Sequence, residues 1–379
     1  MTKTAVLISM IILSGMLATA SSAQLNLGSD GTDGALVVSS NMTLDVPEPD
    51  GIFNYTTVEI QSGFTLQFNP NSLNTPVYLL ATGDVVINGA IDVNGGNGTS
   101  TPPVGGKGGP GGFDGGVPGA AGSPPGPGHG PGGAKAGGRA SHNGLPGVDP
   151  SNPNNGAPYG SPLLVPLVGG SGGGGGDGTP GTGGGGGGGA ILIASNTEIR
   201  IVGGAGTVVA IGGTPFERAG SSGSVRLVAP KVSGNGVIRV PAAGGHGAHG
   251  RIRVDTIDRR EMSLSFDPAT SLSVGGFMRV FADPPPSLAL THVAGMEIAE
   301  GAPQAVTVVL PNNSPANQLV RVQARNFTGM LPIRVVLVPD SGDPVIQDAT
   351  INMTTNPASA DLMMNFPLNT PVAVEAFTR

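Results

Sequence analysis

Four groups of side chains in this chain have the types and spacing for chemistry. In GSDGTDGAL (28–36), Asp30 and Asp33 place two carboxylates in a glycine turn. Hard oxygen donors of that kind suit calcium, with carbonyls completing the shell. The segment fits the calcium-binding nonapeptide GGxGxDxUx only in part, and no tandem copies follow, so a solvated turn competes with calcium there. His246 and His249, in GGHGAHGRIR, have a spacing at which two imidazoles can share a transition metal, but no third ligand is evident. Arg251, Arg253 and Asp255 alternate along one strand face, with Arg226 and Arg239 expected on neighbouring turns of chain. Such a face suits either a solvated ladder of ion pairs or the basic groove of a polysaccharide lyase. Asp255, Asp258 and Glu261 are close in sequence but do not single out a glycosidase pair.

Other chemistries are excluded by composition. The chain has no cysteine, so thiolate metal sites, cysteine nucleophiles and disulfides are absent. The net charge is −7 with 11% charged residues, which argues against a nucleic-acid partner. Aromatics make up 4% and tryptophan is missing, which disfavours a stacking sugar cleft. No GxSxG, HExxH or phosphate-loop lysine motif occurs, and the GxGxxG matches fall in polyglycine without a flanking strand and helix.

The elements that would position these residues are strands. VYLLATGDVVINGAIDVNGG (77–96), AILIASNTEIRIVGGAGTVVAIGG (190–213) and SVRLVAPKVSGNGVIRVPAAGG (224–245) each run strand, corner, strand, corner, short strand, Gly-Gly. A looser copy lies at 35–69. A repeat near 20 residues with no helical period predicts stacked coils, because one unit cannot bury its aliphatic side alone. Glu198-Ile199-Arg200-Ile201 and Arg251-Ile252-Arg253-Val254 alternate charge out and aliphatic in, as half-buried strands do.

Residues 95–189 interrupt this repeat. They hold 40 of the 67 glycines and 15 of the 35 prolines. Little there can offset the ordering entropy, which predicts disorder; glycines at every third position, as at 105, 108 and 111, suit polyproline-II strands instead. Leu163, Leu164, Val165, Leu167 and Val168 offer an apolar pin back to the body.

The expected organisation is all-β. A signal peptide covers 1–23, its apolar run Ala5–Leu17 being too short to span a bilayer. A short right-handed parallel β-helix or solenoid covers 24–283, with 95–189 as its Gly/Pro-rich insertion. Pro284-Pro285-Pro286 forms a stiff linker, and 287–379 an immunoglobulin- or fibronectin-like β-sandwich of seven strands, Ala305–Leu310 among them. TPVYLLATGDVVINGAIDVNGG, GGGGGAILIAS and SVRLVAPKVSGNGVIRV resemble the exported, glycine-rich β-helix proteins of bacteria over roughly residues 28–255. That resemblance implies a parallel β-helix and export, and carries over no functional residue.

Together these features predict a secreted or periplasmic protein that does not span the membrane and is not an enzyme. It would be structural or surface-binding, adhesin- or matrix-like, with extracellular polysaccharide or cell-surface components as partners and no cofactor beyond calcium at Asp30 and Asp33. The competing reading is a polysaccharide lyase or glycoside hydrolase working along an outer groove.

Overall fold

The computed structural model describes residues 27–138 and 152–379, apart from 205, 216, 217, 282, 283, 303 and 312. The leader expected over 1–23 therefore lies outside the described residues. The described chain is almost entirely strand and irregular structure, with two short 3₁₀ turns.

The aliphatic repeats form successive coils. Coil 1 is β1 (Ala35–Val38) and β2 (Met42–Asp45); coil 2 is β3 (Ile52–Tyr55), β4 (Thr57–Ile60) and β5 (Thr65–Asn69). Coil 3 is β6 (Val77–Ala81), β7 (Val85–Ile87) and β8 (Ala90–Asp92), and a small hairpin, β9 (Thr99–Ser100) and β10 (Pro103–Val104), opens the insertion. Coil 4 is β11 (Ala190–Ser195), β12 (Glu198–Ile201) and β13 (Thr207–Val209). Coil 5 is the long β14 (Ser224–Gly234) with β15 (Val237–Arg239); coil 6 is β16 (Arg251–Asp258) with β17 (Ser265–Asp267); β18 (Leu272–Gly275) starts coil 7.

Each strand pairs in parallel with its counterpart in the next coil. Val77 stands beside Ile191 and Ile191 beside Val225, although 95–189 separate the first two. Ile87 and Ile201, and Ile91 and Val208, are likewise neighbours across that gap. The inward residues, Leu79, Ile87, Ile91, Ile193, Ile201, Leu227 and Ile238 among them, are fully buried in one column. Each contributes roughly 1.5–3 kcal/mol. Stacked parallel coils are thus the architecture of the body.

The described part of 95–189 is threaded by backbone hydrogen bonds. Residues 183–189, all glycine, run through the middle of six other stretches: 93–99, 106–109, 113–119, 170–176, 210–213 and 218–224. The N–H groups of Gly183, Gly186 and Gly189 donate to the carbonyls of Thr99, Gly96 and Val93. Those of Gly184 and Gly187 reach Gly116 and Phe113, and those of Gly185 and Gly188 reach Arg218 and Ser221. Carbonyls of the same thread accept from Gly106, Gly109, Gly170, Gly173, Gly213 and Ser224. Partners recur at every third residue, the repeat of an extended threefold helix, which has no internal bonds and must bond sideways.

That geometry leaves no room for a side chain. A Cβ built on any of Gly183–Gly189 would stand 1.9–2.7 Å from a neighbouring carbonyl oxygen. A long glycine tract can therefore enter the apolar strand β11 without a break, since both are interior. Serine is the largest residue admitted at several buried points. Ser171 and Ser221 are fully buried, the Ser221 hydroxyl accepting from the Ser171 N–H at 2.8 Å and the Ser171 hydroxyl from the Gly132 N–H at 2.9 Å.

The terminal region packs two antiparallel sheets on one core. β19 (Ser287–Val293), β20 (Met296–Glu297), β21 (Asn317–Arg325) and β24 (Ala358–Asn365) form one; β22 (Met330–Pro339), β23 (Val345–Asn352) and β25 (Val372–Thr378) form the other. Val320, Val322 and Leu362 meet Ile333, Val335 and Leu337 between them. The strand expected at Ala305–Leu310 does not form. Val306 and Val309 are exposed, and β20 occupies the edge of β19 instead. The three-strand sheet turns its outer face to the glycine threads. Phe377 meets Phe113 edge-on at 5.8 Å, and Glu375 holds His129 Nδ1 at 2.9 Å and the Gly130 N–H at 2.9 Å.

Candidate functional site

The arginine face differs from its expected solvated form. Arg226 on β14 and Asp255 on β16 are fully buried and Arg253 nearly so. Strand alternation points all three outward from the coil core, but the chain after β18 folds back across them. Arg226 donates to Asp255 Oδ2 at 3.1 Å and to the carbonyls of Phe277 and Arg279 at 3.0 and 2.8 Å. Arg253 reaches Asp255 Oδ1 at 2.7 Å, and the Phe277 N–H donates to the same oxygen at 2.9 Å. The Arg226 guanidinium also lies 5.4 Å from the centre of the Phe277 ring. Burial lowers the Arg226 pKa while Asp255 opposes that shift. One carboxylate between two guanidiniums, fully bonded, is a fastening for the strap rather than an open groove. Beside it Leu27, Leu80, Leu164, Leu167, Leu192 and Val228 form a second apolar cluster. Leu164 and Leu167 of the insertion thus pin it to the body, while Leu163 remains exposed.

Arg239 lies on the other sheet, paired with Asp267 at 3.1 Å on the solvent side. Arg251 is half-buried on the same strand face as Arg253.

Asp30 and Asp33 serve different partners. Asp30 Oδ1 accepts from the Thr32 N–H at 3.0 Å and the Thr32 hydroxyl at 2.8 Å, and these bonds lower its pKa. Asp33 Oδ2 accepts from the Asn54 N–H at 2.6 Å while the Asp33 N–H donates to the Asn54 carbonyl. With Gly34, which accepts from the Thr56 N–H, it lines the free edge of β3. His249 Nδ1 accepts the Ala242 N–H at 2.8 Å, and burial lowers its pKa. Among the described residues no group of three or more His, Asp or Glu side chains stands where it can hold a metal ion.

A second cluster gathers across coils, away from the arginine face. Asp84, Glu198, Arg200, Lys231 and Glu261 line an open groove of 330 Å³ on the β7–β12–β14 face. Lys231 Nζ bridges Glu261 at 2.8 Å and Glu198 at 3.4 Å. The Ser233 hydroxyl also donates to Glu198. The bonds from Glu261 and Glu198 raise the Lys231 pKa against a smaller opposing effect of burial. A lysine held protonated cannot serve as a proton-abstracting base, which leaves Lys231 as the electrostatic partner of Glu198 and Glu261. The signal was present in the repeats. Glu198 and Lys231 are register partners, and Asp84 precedes Val85, which pairs with Ile199.

A larger groove, 640 Å³, lies on the outer face of the β19–β21–β24 sheet. Arg321 pairs with Asp361 there and Arg325 with Glu300, and His292 and Gln323 lie beside them. Comparison of the chain with protein families, with curated proteins and with solved structures returns no match. No described helix is long and apolar enough to cross a membrane.

Proposed function

We propose that the chain is a non-enzymatic, exported structural or surface-binding protein, adhesin- or matrix-like, with extracellular polysaccharide or cell-surface components as its partners. In this reading the coils wind right-handed, as parallel crossovers almost always do. The terminal sheets act as an immunoglobulin-like module, and the protein belongs with exported glycine-rich β-helix proteins. The observation that carries the proposal is the central glycine thread. A long segment without reactive side chains is committed to backbone bonding on all sides, which yields a stiff body and not a reaction cleft. The strapped arginine face supports it, because its charges are spent internally.

The enzyme reading keeps one specific support, the groove of Asp84, Glu198, Lys231 and Glu261 drawn from successive coils. Incubation with soluble and insoluble uronic-acid and neutral polysaccharides, with calcium and with chelator, separates the two. The proposal expects co-sedimentation with an insoluble glycan and no new reducing ends or unsaturated products. Turnover that disappears in Glu198→Gln would establish a catalytic groove and overturn it.

A further inference from the structure

Charge is sorted along the stack. Between Leu27 and Asn94, over coils 1 to 3, the chain has eight carboxylates and no lysine or arginine. Between Ser224 and Phe281, over coils 5 to 7, it has eight lysines and arginines against four carboxylates. Coil 4 is balanced by Glu198 and Arg200. Arg226, Arg253 and Asp255 are buried and paired with one another, and without them the last coils still have six basic groups against three carboxylates. The body therefore has an acidic first end and a basic last end, with Arg259 and Arg279 exposed at the latter.

Strand edges are open at the same two ends. Among the described residues β1 bonds only to β4 and β2 only to β5; at the other end β17 bonds only to β15 and β18 only to β16. The β1 edge, Ala-Leu-Val-Val, lacks the proline, charge or bulge that usually blunts a free strand, and its Val37 is 48% exposed. The core is incompletely covered at these ends as well. Its half-buried members are Met42, Leu44 and Phe64 in coils 1 and 2, and Met262, Phe266 and Leu272 in coils 6 and 7.

We propose that a second copy of the chain docks end to end on the first, its acidic coil-1 edge against the basic last coils. The β17 edge of one copy would then continue into β2 of the next with strand direction preserved. Met42 and Leu44 would close over Phe266, and opposite charges would fix the direction, since like ends repel. The contact joins different surfaces of the two copies, so its repetition gives an open filament rather than a closed dimer. This deepens the structural reading of the protein yet fails separately from it. A monomer that binds glycan without cleaving it removes only the association, whereas an associating protein that cleaves glycan removes only the non-enzymatic function.

Sedimentation velocity of the full chain at increasing concentration, in low and high salt, tests the proposal. An open series of species above the monomer is expected at low salt, shrinking at high salt as the end charges are screened. The double variant Val37→Lys/Asp45→Lys, at exposed positions, should lose every species above the monomer while keeping the wild-type thermal melt. The opposite-end variant Arg259→Glu/Arg279→Glu should show the same loss. Three results would overturn the proposal: a monomer at every concentration; a dimer that stops growing; or growth unchanged in both variants.

Discussion

At Gly187 a methyl group would stand 1.9 Å from the Gly170 carbonyl oxygen, with the Gly170 carbonyl carbon at 2.2 Å. Neither neighbour is a flexible side chain, so the clash can be relieved only by moving whole threads. Gly187→Ala is expected to destabilise the protein by about 1–3 kcal/mol, the range for overpacking a filled interior. Gly276→Ala, where nothing lies within 4 Å, should leave the melting temperature unchanged. Differential scanning calorimetry of the two variants distinguishes a close-packed glycine thread from a loose one. Asp255 is constrained by charge instead. Asp255→Asn strands two guanidiniums under the strap, and breaking a buried pair in this way costs roughly 3–5 kcal/mol. Denaturant titration should show that loss, and proteolysis should cut first near Phe277 as the strap detaches.

At the scale of elements, the docking of the three-strand sheet on the glycine threads includes one titrating contact, between His129 and Glu375. Burial lowers the His129 pKa, but the Glu375 hydrogen bond and the charges of Glu375, Asp114 and Asp340 together hold it above its usual 6.5. A raised histidine pKa stabilises the folded form fully below the unfolded value, and that contribution fades as pH rises through the folded one. The stability of wild type relative to His129→Gln should therefore be greatest in mild acid and decline above about pH 6.5. Thermal melts across that range check the sign.

The coils could be read from the sequence because buried aliphatics recur with the strand period, and Val77, Ile191 and Val225 fall into register as the repeats align. The roof over Arg226 and Arg253 could not. Alternation tells which side of a strand a residue faces, not what later chain lies across it. The Asp84–Glu198–Lys231 column lies in the same repeats, but each of its residues alone resembles a solvated corner. The glycine threads gave little signal, because their bonds join segments far apart in sequence and glycine leaves no pattern of sides. The terminal sheets were legible except at 305–310, where alternation is present but no strand edge receives it.

For the molecule as a whole, the coil column and the glycine threads form one continuous interior. Gly189 donates to Val93 at the end of coil 3 and accepts from Ser224 at the start of coil 5, so the threads begin where the strands end. Stiffness would follow from that continuity. Amide hydrogen exchange across Gly183–Gly189 tests it most directly. If these N–H groups are bonded inside six neighbours, they should exchange as slowly as those of Ile191–Ala194 in the adjoining strand and open only with global unfolding. Exchange at the rate of an unstructured glycine peptide, with β11 still protected, would contradict the account.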